Sequence, residues 1–213
     1  DLYPITLDID IQSLKKIGID YLLIPEKNDI ENFSNPFDTK LEPKKITDDL
    51  CGKYRPGHFL AVIDIIHRFF QIIKPKNILL GRKDYQQIIV IKELIKIYNY
   101  NINIISADTV RNKDGLALSS RNNFLTKEEI KIASEIQSSL LLSKKLYNDN
   151  ISINEITAMI NELFLQSFIN LEYFTIRDLK TLQHRNDNDL IALIAVYLGD
   201  IRLIDNIIIK SKQ

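Results

Sequence analysis

The chain has 213 residues, one cysteine and six glycines, and its 28 Lys and Arg residues balance its 28 Asp and Glu residues. The zero net charge argues against an electrostatic binder of nucleic acid or of an anionic membrane, and the single cysteine excludes a disulfide framework. No apolar run approaches the roughly 18 residues that a membrane helix needs, and no signal peptide is visible, so we expect a cytoplasmic protein.

The first elements are predicted from apolar periodicity and from the residues that interrupt it. Residues 5–17 place apolar side chains at helical spacing and predict a helix that ends at Gly18. An apolar run at 19–24, closed by Pro25, predicts a short buried strand. Residues 26–56 are polar, contain three prolines, and predict an ordered loop region with little helix.

Helices and strands then alternate. A helix is predicted over 58–74, ended by Pro75, and is followed by a strand at 77–81. A second helix over 84–99 leads to a strand at 102–106. The order strand, helix, strand, helix, strand, with long crossovers, predicts the parallel sheet of an α/β, Rossmann-like domain.

The pattern changes after Arg121. Thr126 and Glu129 form a capping box that predicts a long helix through about 147, and a second helix is predicted over 153–168. Three strands follow, at 171–177, 190–197 and 201–208, with Gly199-Asp200 as a two-residue type II′ hairpin. We therefore predict a Rossmann-like domain over 1–117 and a small α+β domain over 118–213.

The segment Gly81–Gln87 is the first candidate ligand site, because it follows a predicted parallel strand and enters a helix. Ligands bind at the carboxyl ends of strands in open α/β sheets, and a helix N-terminus attracts anions. Lys83 can add a positive charge for a phosphate, and Asp84 can hydrogen-bond a ribose. Gln87, one helical turn later, faces the same edge of the sheet. The alternative is a surface turn with an exposed lysine and an aspartate that caps the helix.

The second candidate is the segment 114–122, which lies just past the third predicted strand. An Asp-Gly turn leads into Ser119, Ser120 and Arg121, whose two hydroxyls and guanidinium can all donate to one polyphosphate. The alternative is a polar interdomain linker.

The third candidate is Gly52–Phe59, where two glycines and a proline define the backbone ahead of a helix. Arg55 and His58 would form a wall of the site; the alternative is a rigid loop with a histidine at the helix entry. We predict structural or solvated roles for His67 and His184 and a structural role for Cys51.

Several catalytic patterns are absent from the sequence. There is no His-x-x-His or Cys-x-x-Cys pair, so we predict no metal site built from the protein, and there is no P-loop. Without a Gly-x-Ser-x-Gly elbow, Ser119 and Ser120 are poor nucleophiles.

Taken together, three motifs resemble the pantothenate synthetase (pantoate–β-alanine ligase) family of the nucleotidyltransferase superfamily. They are Arg55-Pro56-Gly57-His58-Phe59, Gly81-x-Lys83-Asp84-x-Gln86-Gln87 and Asp114-Gly115-Leu116-Ala117-x-Ser119-Ser120-Arg121-Asn122. The opening Tyr3-Pro4-x-Thr6-Leu7-x-x-Asp10 and the closing Leu198-Gly199-Asp200-x-Arg202-Leu203-Ile204-Asp205-Asn206 look like the same family. The resemblance covers essentially the whole chain.

The resemblance implies a two-step ligase of coenzyme A biosynthesis. Pantoate attacks the α-phosphate of ATP, with Mg²⁺, to give pantoyl adenylate and pyrophosphate. The amine of β-alanine then attacks the acyl carbon to give pantothenate and AMP. The family is usually a homodimer with a Rossmann-like first domain and a smaller second domain that covers the site.

The resemblance also implies residue roles. The ATP contacts are Gly81, Arg82, Lys83, Asp84, Val110, Leu118, Ser119, Ser120 and Arg121. Of these, Lys83, Ser119, Ser120 and Arg121 are the implied catalytic residues, and 118–121 form a mobile loop that grips phosphate. Val110 would meet adenine through its backbone, and Gln87 would bind pantoate.

The sequence departs from the family's pattern at three points. Arg82 stands where Glu is common, Ala61 stands where Gly is common, and the family's His-x-Gly-His loop is not in the sequence. We therefore expect these residues to be the later part of such an enzyme, with little activity alone. One alternative is a non-catalytic or degenerate nucleotide-binding relative, and another is a nucleotidyltransferase that activates a different acid.

Overall fold

A computed structural model describes residues 7–184 and 189–210 of the chain. The helices are α1 Leu7–Ile17, α2 Lys27–Asn32, α3 Lys44–Thr47, α4 Cys51–Tyr54, α5 His58–Ile73, α6 Tyr85–Ile97, α7 Lys127–Ala133, α8 Glu135–Asn148 and α9 Ile153–Leu165. The strands are β1 Asn77–Gly81, β2 Asn103–Ala107, β3 Asn170–Asp178, β4 Leu190–Leu198 and β5 Ile201–Lys210. Short 3₁₀ turns occupy Thr39–Leu41, Arg82–Asp84 and Ser120–Phe124. The first two residues of the predicted helix 5–17, and Tyr3, Pro4 and Thr6 of the opening motif, lie outside the described residues.

β1 and β2 form a parallel pair, as predicted, and α6 connects them. The register runs from Asn77 opposite Asn103 to Gly81 opposite Ala107. Parallel strands need a crossover of about a dozen residues or more, which α6 supplies. Because the strands run in the same direction, their carboxyl ends share one edge of the sheet, and the Gly81–Gln87 motif begins at that edge.

The prediction of a buried strand at 19–24 is wrong. These residues form no strand, and their apolar side chains are exposed, with Tyr21 94% exposed. The described parallel sheet therefore has two strands rather than three. An apolar run has a propensity for strand, but a strand forms only beside a partner, and none lies next to this segment in the described part of the chain.

The region 26–56 contains more helix than the predicted loop. It folds into α2, α3, α4 and one 3₁₀ turn. Asp29 accepts a hydrogen bond from the Glu26 amide at the start of α2, and Pro43 immediately precedes α3. Proline interrupts a helix internally but is tolerated at its first turn, so prolines here mark helix starts as well as loops.

α5 and α6 pack together against the parallel strands. Ile63 of α5 and Ile91 of α6 are fully buried, and Leu80 and Ile104 of the strands pack on the same cluster. His67 on α5 is buried in this region with its Nδ1 atom 2.9 Å from the Tyr100 hydroxyl, in the structural position that the sequence predicts.

β3, β4 and β5 form an antiparallel sheet in which β4 is central and almost wholly buried. Leu198 pairs with Ile201, so Gly199-Asp200 is the two-residue hairpin loop predicted from the sequence. Gly199 has φ +55°, the left-handed conformation that the first position of a type II′ turn requires. α8 and α9 pack on this sheet and form the largest core cluster with it.

The capping box at Thr126 is confirmed, but the long helix that follows it is not continuous. The Thr126 hydroxyl accepts a hydrogen bond from the Glu129 amide, and the Glu129 carboxylate accepts one from the Thr126 amide. The helix is interrupted at Ser134, between α7 and α8, where the Ser134 hydroxyl donates to the Lys131 carbonyl at 2.6 Å. A serine hydroxyl can compete with backbone amides for a helical carbonyl. The spacing of apolar residues does not reveal such an interruption.

The regions on either side of the predicted boundary at 117/118 share packed clusters. Leu50 and Ile89 pack with Ile191 and Leu193 of β4. Tyr173 of β3 also packs against the α5–α6 cluster. The boundary itself remains a prediction. Over residues 7–184 and 189–210, no helix combines the length and the apolar character that crossing a membrane would require.

Candidate active site

A cleft of about 470 Å³ lies between the carboxyl end of β1 and the start of β5. All three motifs predicted from the sequence contribute to its wall: Arg55 and His58 from the first, Lys83, Asp84 and Gln87 from the second, and Leu118, Ser119, Ser120 and Arg121 from the third. The structure therefore brings together side chains that are far apart in the sequence.

Lys83 and Asp84 lie on the 3₁₀ turn that leaves β1. The Lys83 side chain is 19% exposed, and its Nζ atom is 3.9 Å from an oxygen of Asp84. Asp84 occupies the N-cap position of α6 but makes no side-chain capping bond, so the simple capping alternative does not describe it. A lysine ammonium at the mouth of the cleft is placed to meet an anion.

Three of the predicted ATP contacts do not line the cleft. Gly81 ends β1 just outside the wall, and Arg82 forms an ion pair with Asp108, which follows β2. This pair links the carboxyl ends of the two parallel strands. Val110 is 65% exposed and also lies outside the cleft wall.

The adjacent glutamines of the second motif have different environments. Gln87 lines the cleft. Gln86 is buried, donates to the carbonyls of Ile46 and Asp49, and accepts a bond from the Cys51 amide. Gln86 therefore fixes the segment ahead of the Arg-Pro-Gly-His turn, a role that the motif alone does not reveal.

Arg55 and His58 form a hydrogen-bonded pair on the wall, with Arg55 Nη1 2.9 Å from His58 Nε2. A guanidinium can only donate, so Nε2 accepts and the imidazole is neutral in this arrangement. Burial lowers the pKa of His58, and the neighbouring cations Arg55, Arg202 and Arg121 lower it further.

The third motif contacts β5 directly. The Ser119 hydroxyl accepts a bond from the Arg121 amide and caps the 3₁₀ turn Ser120–Phe124. Arg121 Nη1 donates to the backbone carbonyl of Arg202 at 3.2 Å. The segment predicted as a possible linker is therefore part of the cleft wall.

Arg202 supplies a cation that the sequence analysis did not assign to the site. It is buried, donates to both carboxylate oxygens of Glu172, and places Nη2 3.5 Å from Cys51 Sγ. Burial alone would lower the pKa of Arg202, but its hydrogen bonds with Glu172 raise it above the ordinary value. A charged residue between apolar neighbours at the start of a predicted strand is the signal that could have identified it.

Cys51 and Tyr173 close the inner end of the cleft. Cys51 is buried, and its Sγ atom is 3.1 Å from the Tyr173 hydroxyl. Burial raises the pKa of Tyr173 well above its ordinary value. Both side chains border a narrow inner pocket that shares several wall residues with the cleft, and the structural role of Cys51 stays a prediction.

The wall of the cleft is rich in positive charge. The described wall carries four cations, Arg55, Lys83, Arg121 and Arg202, and one carboxylate, Asp84, although the whole chain is neutral. Of the four, Arg202 is already paired with Glu172. A cleft lined by one sign of charge concentrates ligands of the opposite sign. This arrangement can hold phosphate and carboxylate groups together.

The comparisons with known proteins agree with this geometry. The family model described as Pantoate-beta-alanine ligase matches residues 1–208. The pantothenate synthetase of Marinomonas sp. (strain MWYL1) is 38% identical over 208 residues, which are 96% of this chain and 74% of the relative. That of Coprothermobacter proteolyticus is 35% identical over 218 residues, 99% of this chain and 76% of the relative.

Solved structures show the same fold. The crystal structure of pantothenate synthetase from Thermus thermophilus has a TM-score of 0.89 at 29% identity, covering 98% of this chain and 76% of that one. The pantoate-beta-alanine ligase of Francisella tularensis, complexed with beta-gamma ATP and beta-alanine, has a TM-score of 0.73 at 35% identity, covering 99% and 72%. The predicted fold class, a Rossmann-like nucleotidyltransferase sheet followed by a small α+β unit, is confirmed. The chain belongs to the pantoate–β-alanine ligase family.

Proposed function

We propose that the cleft between β1 and β5 is where the ligase reaction of this family takes place, with ATP, pantoate and β-alanine as substrates. The observation that carries the proposal is the convergence of three separate motifs and β5 on one cation-rich cleft. Each of these substrates or its intermediate carries phosphate or carboxylate groups, which such a wall binds.

The chemistry needs positioned charge more than a covalent group from the protein. A carboxylate oxygen of pantoate forms a bond to the α-phosphorus while the bond to pyrophosphate breaks. The nitrogen of β-alanine then bonds to the acyl carbon, the bond to AMP breaks, and the amine loses a proton. Negative charge moves along the phosphates in the first step, and fixed cations such as Lys83 and Arg121 stabilise it.

Lys83, Ser119, Ser120 and Arg121 are the proposed catalytic residues. Lys83 would hold phosphate charge from the β1 turn. The serine hydroxyls would donate to phosphate oxygens from the opposite wall. Arg121 would exchange its bond to the neutral Arg202 carbonyl for a stronger one to a charged phosphate oxygen, which would draw its loop over the nucleotide.

The backbone at Gly81 supports close approach of ATP. Apart from the two neighbouring residues, no atom of residues 7–184 and 189–210 lies within 4 Å of a Cβ atom added to Gly81, and its φ of −73° is ordinary. This part of the fold therefore does not require glycine there. A ligand packed against the strand end would require it. We propose further nucleotide contacts by Arg82, Asp84, Val110 and Leu118, and we propose that Gln87 binds pantoate.

Mg²⁺ is implied by the family resemblance. Within residues 7–184 and 189–210 there is no group of three or more His, Cys, Asp or Glu side chains that could hold a metal, so this part of the chain forms no dedicated cage. Mg²⁺ is commonly held by substrate phosphates with one or two carboxylates, and Asp84 is the carboxylate on the wall. The roles of Lys83 and Arg121 do not depend on the ion.

We also propose a homodimer and a cytoplasmic location. The family resemblance supports the homodimer. The single cysteine is compatible with a reducing compartment.

The deciding experiment measures AMP and pyrophosphate release by the protein expressed from its complete reading frame. Release that requires both pantoate and β-alanine is expected. ATP binding without AMP release would instead indicate the degenerate nucleotide-binding relative. Pyrophosphate release with another acid in preference to pantoate would indicate a different nucleotidyltransferase.

A matched pair of lysine variants tests the assignment of the cleft. Lys83→Ala should lower the rate of pyrophosphate release by about 10²–10³-fold, the usual effect of removing one fixed donor from a transition state. Lys96→Ala, which changes an exposed lysine near the end of α6, should leave that rate unchanged. Unchanged release by Lys83→Ala would remove Lys83 from the mechanism.

A further inference from the structure

Asn206 of β5 joins the antiparallel sheet to the turn that carries Lys83. Its Nδ2 atom donates hydrogen bonds of 2.9 Å to the carbonyl oxygens of both Arg82 and Lys83. A carboxamide has two N–H groups, so one serves each carbonyl. Asn206 is only 4% exposed, so bulk water competes little for these bonds.

The two carbonyls lie on either side of the Cα atom of Lys83. Each belongs to a planar peptide unit, so fixing both oxygens restrains the two backbone dihedral angles of Lys83. Those angles set the direction of the Cα–Cβ bond, from which the Lys83 side chain leaves the turn. The two hydrogen bonds therefore limit where the Lys83 amine can lie along the cleft.

Asn206 is itself held firmly. Its backbone amide donates to Asp205 Oδ1 at 2.8 Å. The Asp205 carboxylate, in turn, receives both terminal nitrogens of the Arg111 guanidinium. Bidentate pairs of this kind fix orientation as well as distance. The backbone that carries the carboxamide is thus anchored to an ion pair whose aspartate is buried.

We propose that Asn206 is a positioning residue for Lys83, holding the lysine amine where the phosphates of ATP must lie. The proposal rests on the role given to Lys83 in the proposed function. Displacement of a catalytic group by about 1 Å can slow a reaction by on the order of 100-fold, so a residue that only sets the backbone can have a large kinetic effect.

The direct test is Asn206→Asp, which keeps the size of the side chain but replaces the donor nitrogen by a charged acceptor facing two carbonyls. Pyrophosphate release at saturating substrates should slow at least tenfold, whereas the KM for β-alanine, which enters after adenylation, should stay within about twofold. Asn103→Asp is the matched control, because it makes the same exchange at an exposed position at the start of β2. That control should keep the parent rate.

A second variant separates positioning from folding. Asn206→Ser supplies one uncharged, shorter hydroxyl donor and should slow pyrophosphate release less than Asn206→Asp. If neither variant folds, or if the rate per folded molecule is unchanged in both, Asn206 is only structural and the proposal is overturned.

A double-mutant cycle distinguishes failure of this inference from failure of the proposed function. If Asn206 acts through Lys83, then Asn206→Asp should change the rate less than twofold in a Lys83→Ala background. Independent, multiplicative effects would overturn the positioning role while leaving Lys83 catalytic. No effect of Lys83→Ala alone would instead contradict the proposed function.

Discussion

β1 and β4 are both rich in Leu and Ile, yet Leu79 of β1 is 68% exposed whereas Ile191 of β4 is 0% exposed. β4 has a paired strand on each side, and α8 and α9 pack on its sheet. Within residues 7–184 and 189–210, β1 pairs only with β2, and Leu79 and Ile105 are exposed on one face of this pair. Burial therefore depends on the neighbours that a strand finds rather than on its composition alone.

The parallel pair and the antiparallel sheet contribute differently to the cleft and to the core. The parallel pair packs one face on α5 and α6 and presents its carboxyl edge, with Lys83 and Asp84, to the cleft. The antiparallel sheet holds the largest core cluster, places Arg202 in the cleft wall and places Asn206 beside the inner pocket. We expect changes in the core of the antiparallel unit to act mainly on stability. Changes at the β1 turn, or at Asn206, which holds that turn, should act mainly on rate.

The largest effect on stability is expected at the buried ion pair between Glu172 and Arg202, whose side chains are 6% and 7% exposed. Glu172→Gln leaves a buried guanidinium without its carboxylate and should lower the free energy of unfolding by about 3–5 kcal/mol. Urea unfolding measures this. Glu162→Gln, at an exposed position of α9, is the control and should change little. A loss of only about 1 kcal/mol would equate the pair with an exposed one.

Two identical substitutions compare the sheets and their cores directly. Leu140→Ala, in α8 against the antiparallel sheet, should cost about 2–5 kcal/mol, because it leaves a cavity where a fully buried side chain packs. Leu79→Ala, at a position that is 68% exposed with respect to residues 7–184 and 189–210, should cost no more than about 0.5 kcal/mol in this chain. Chemical denaturation of both variants provides the comparison, and equal losses would show that the open face of β1 is covered in solution.

A smaller effect is expected at the start of α7. Thr126→Ala removes the hydroxyl that accepts the Glu129 amide bond and should lower the free energy of unfolding by about 1 kcal/mol. Thr126→Ser keeps the hydroxyl and should retain most of that stability. Thermal melting distinguishes the two, and equal melting temperatures for both variants would contradict a capping role.

The smallest effect concerns the two histidines of α5, one at the cleft and one in the core. Burial lowers the pKa of both His58 and His67 below the ordinary value of about 6.5. As the pH falls below about 6.5, the unfolded chain therefore binds more protons than the folded chain. The two histidines contribute to stability above that pH, and this contribution is lost as the pH falls towards their lower, folded-state pKa values. Unfolding measured from pH 8 to pH 5 should show this slope, and His58→Gln should reduce it.

The same pH series separates the two positions by activity. Protonation of His58 would remove the acceptor for Arg55, so adenylation should fall with acidification in the parent protein and less in His58→Gln. His67→Gln should reduce the pH dependence of stability while leaving the pH profile of adenylation unchanged. An identical activity profile in all three proteins would remove His58 from the cleft's function.

The sequence alone determined the elements whose signals are local. Helical spacing gave α5 and α6, the capping box gave the start of α7, and the Gly199-Asp200 pair gave the β4–β5 hairpin. The three motifs also indicated the family. Their residue types and their order along the chain can be recognised without knowledge of the fold. Periodicity and turn chemistry depend on residues a few positions apart, so they can be read from a single chain.

Only the tertiary structure decided which residues meet. It left 19–24 exposed, broke the predicted helix at Ser134, and brought Asn206 to Lys83 across 123 positions of sequence. It also placed Arg202 in the cleft and left Val110 outside its wall. These outcomes depend on strand pairing and on hydrogen bonds between distant segments, whose partners the local pattern of a sequence does not specify.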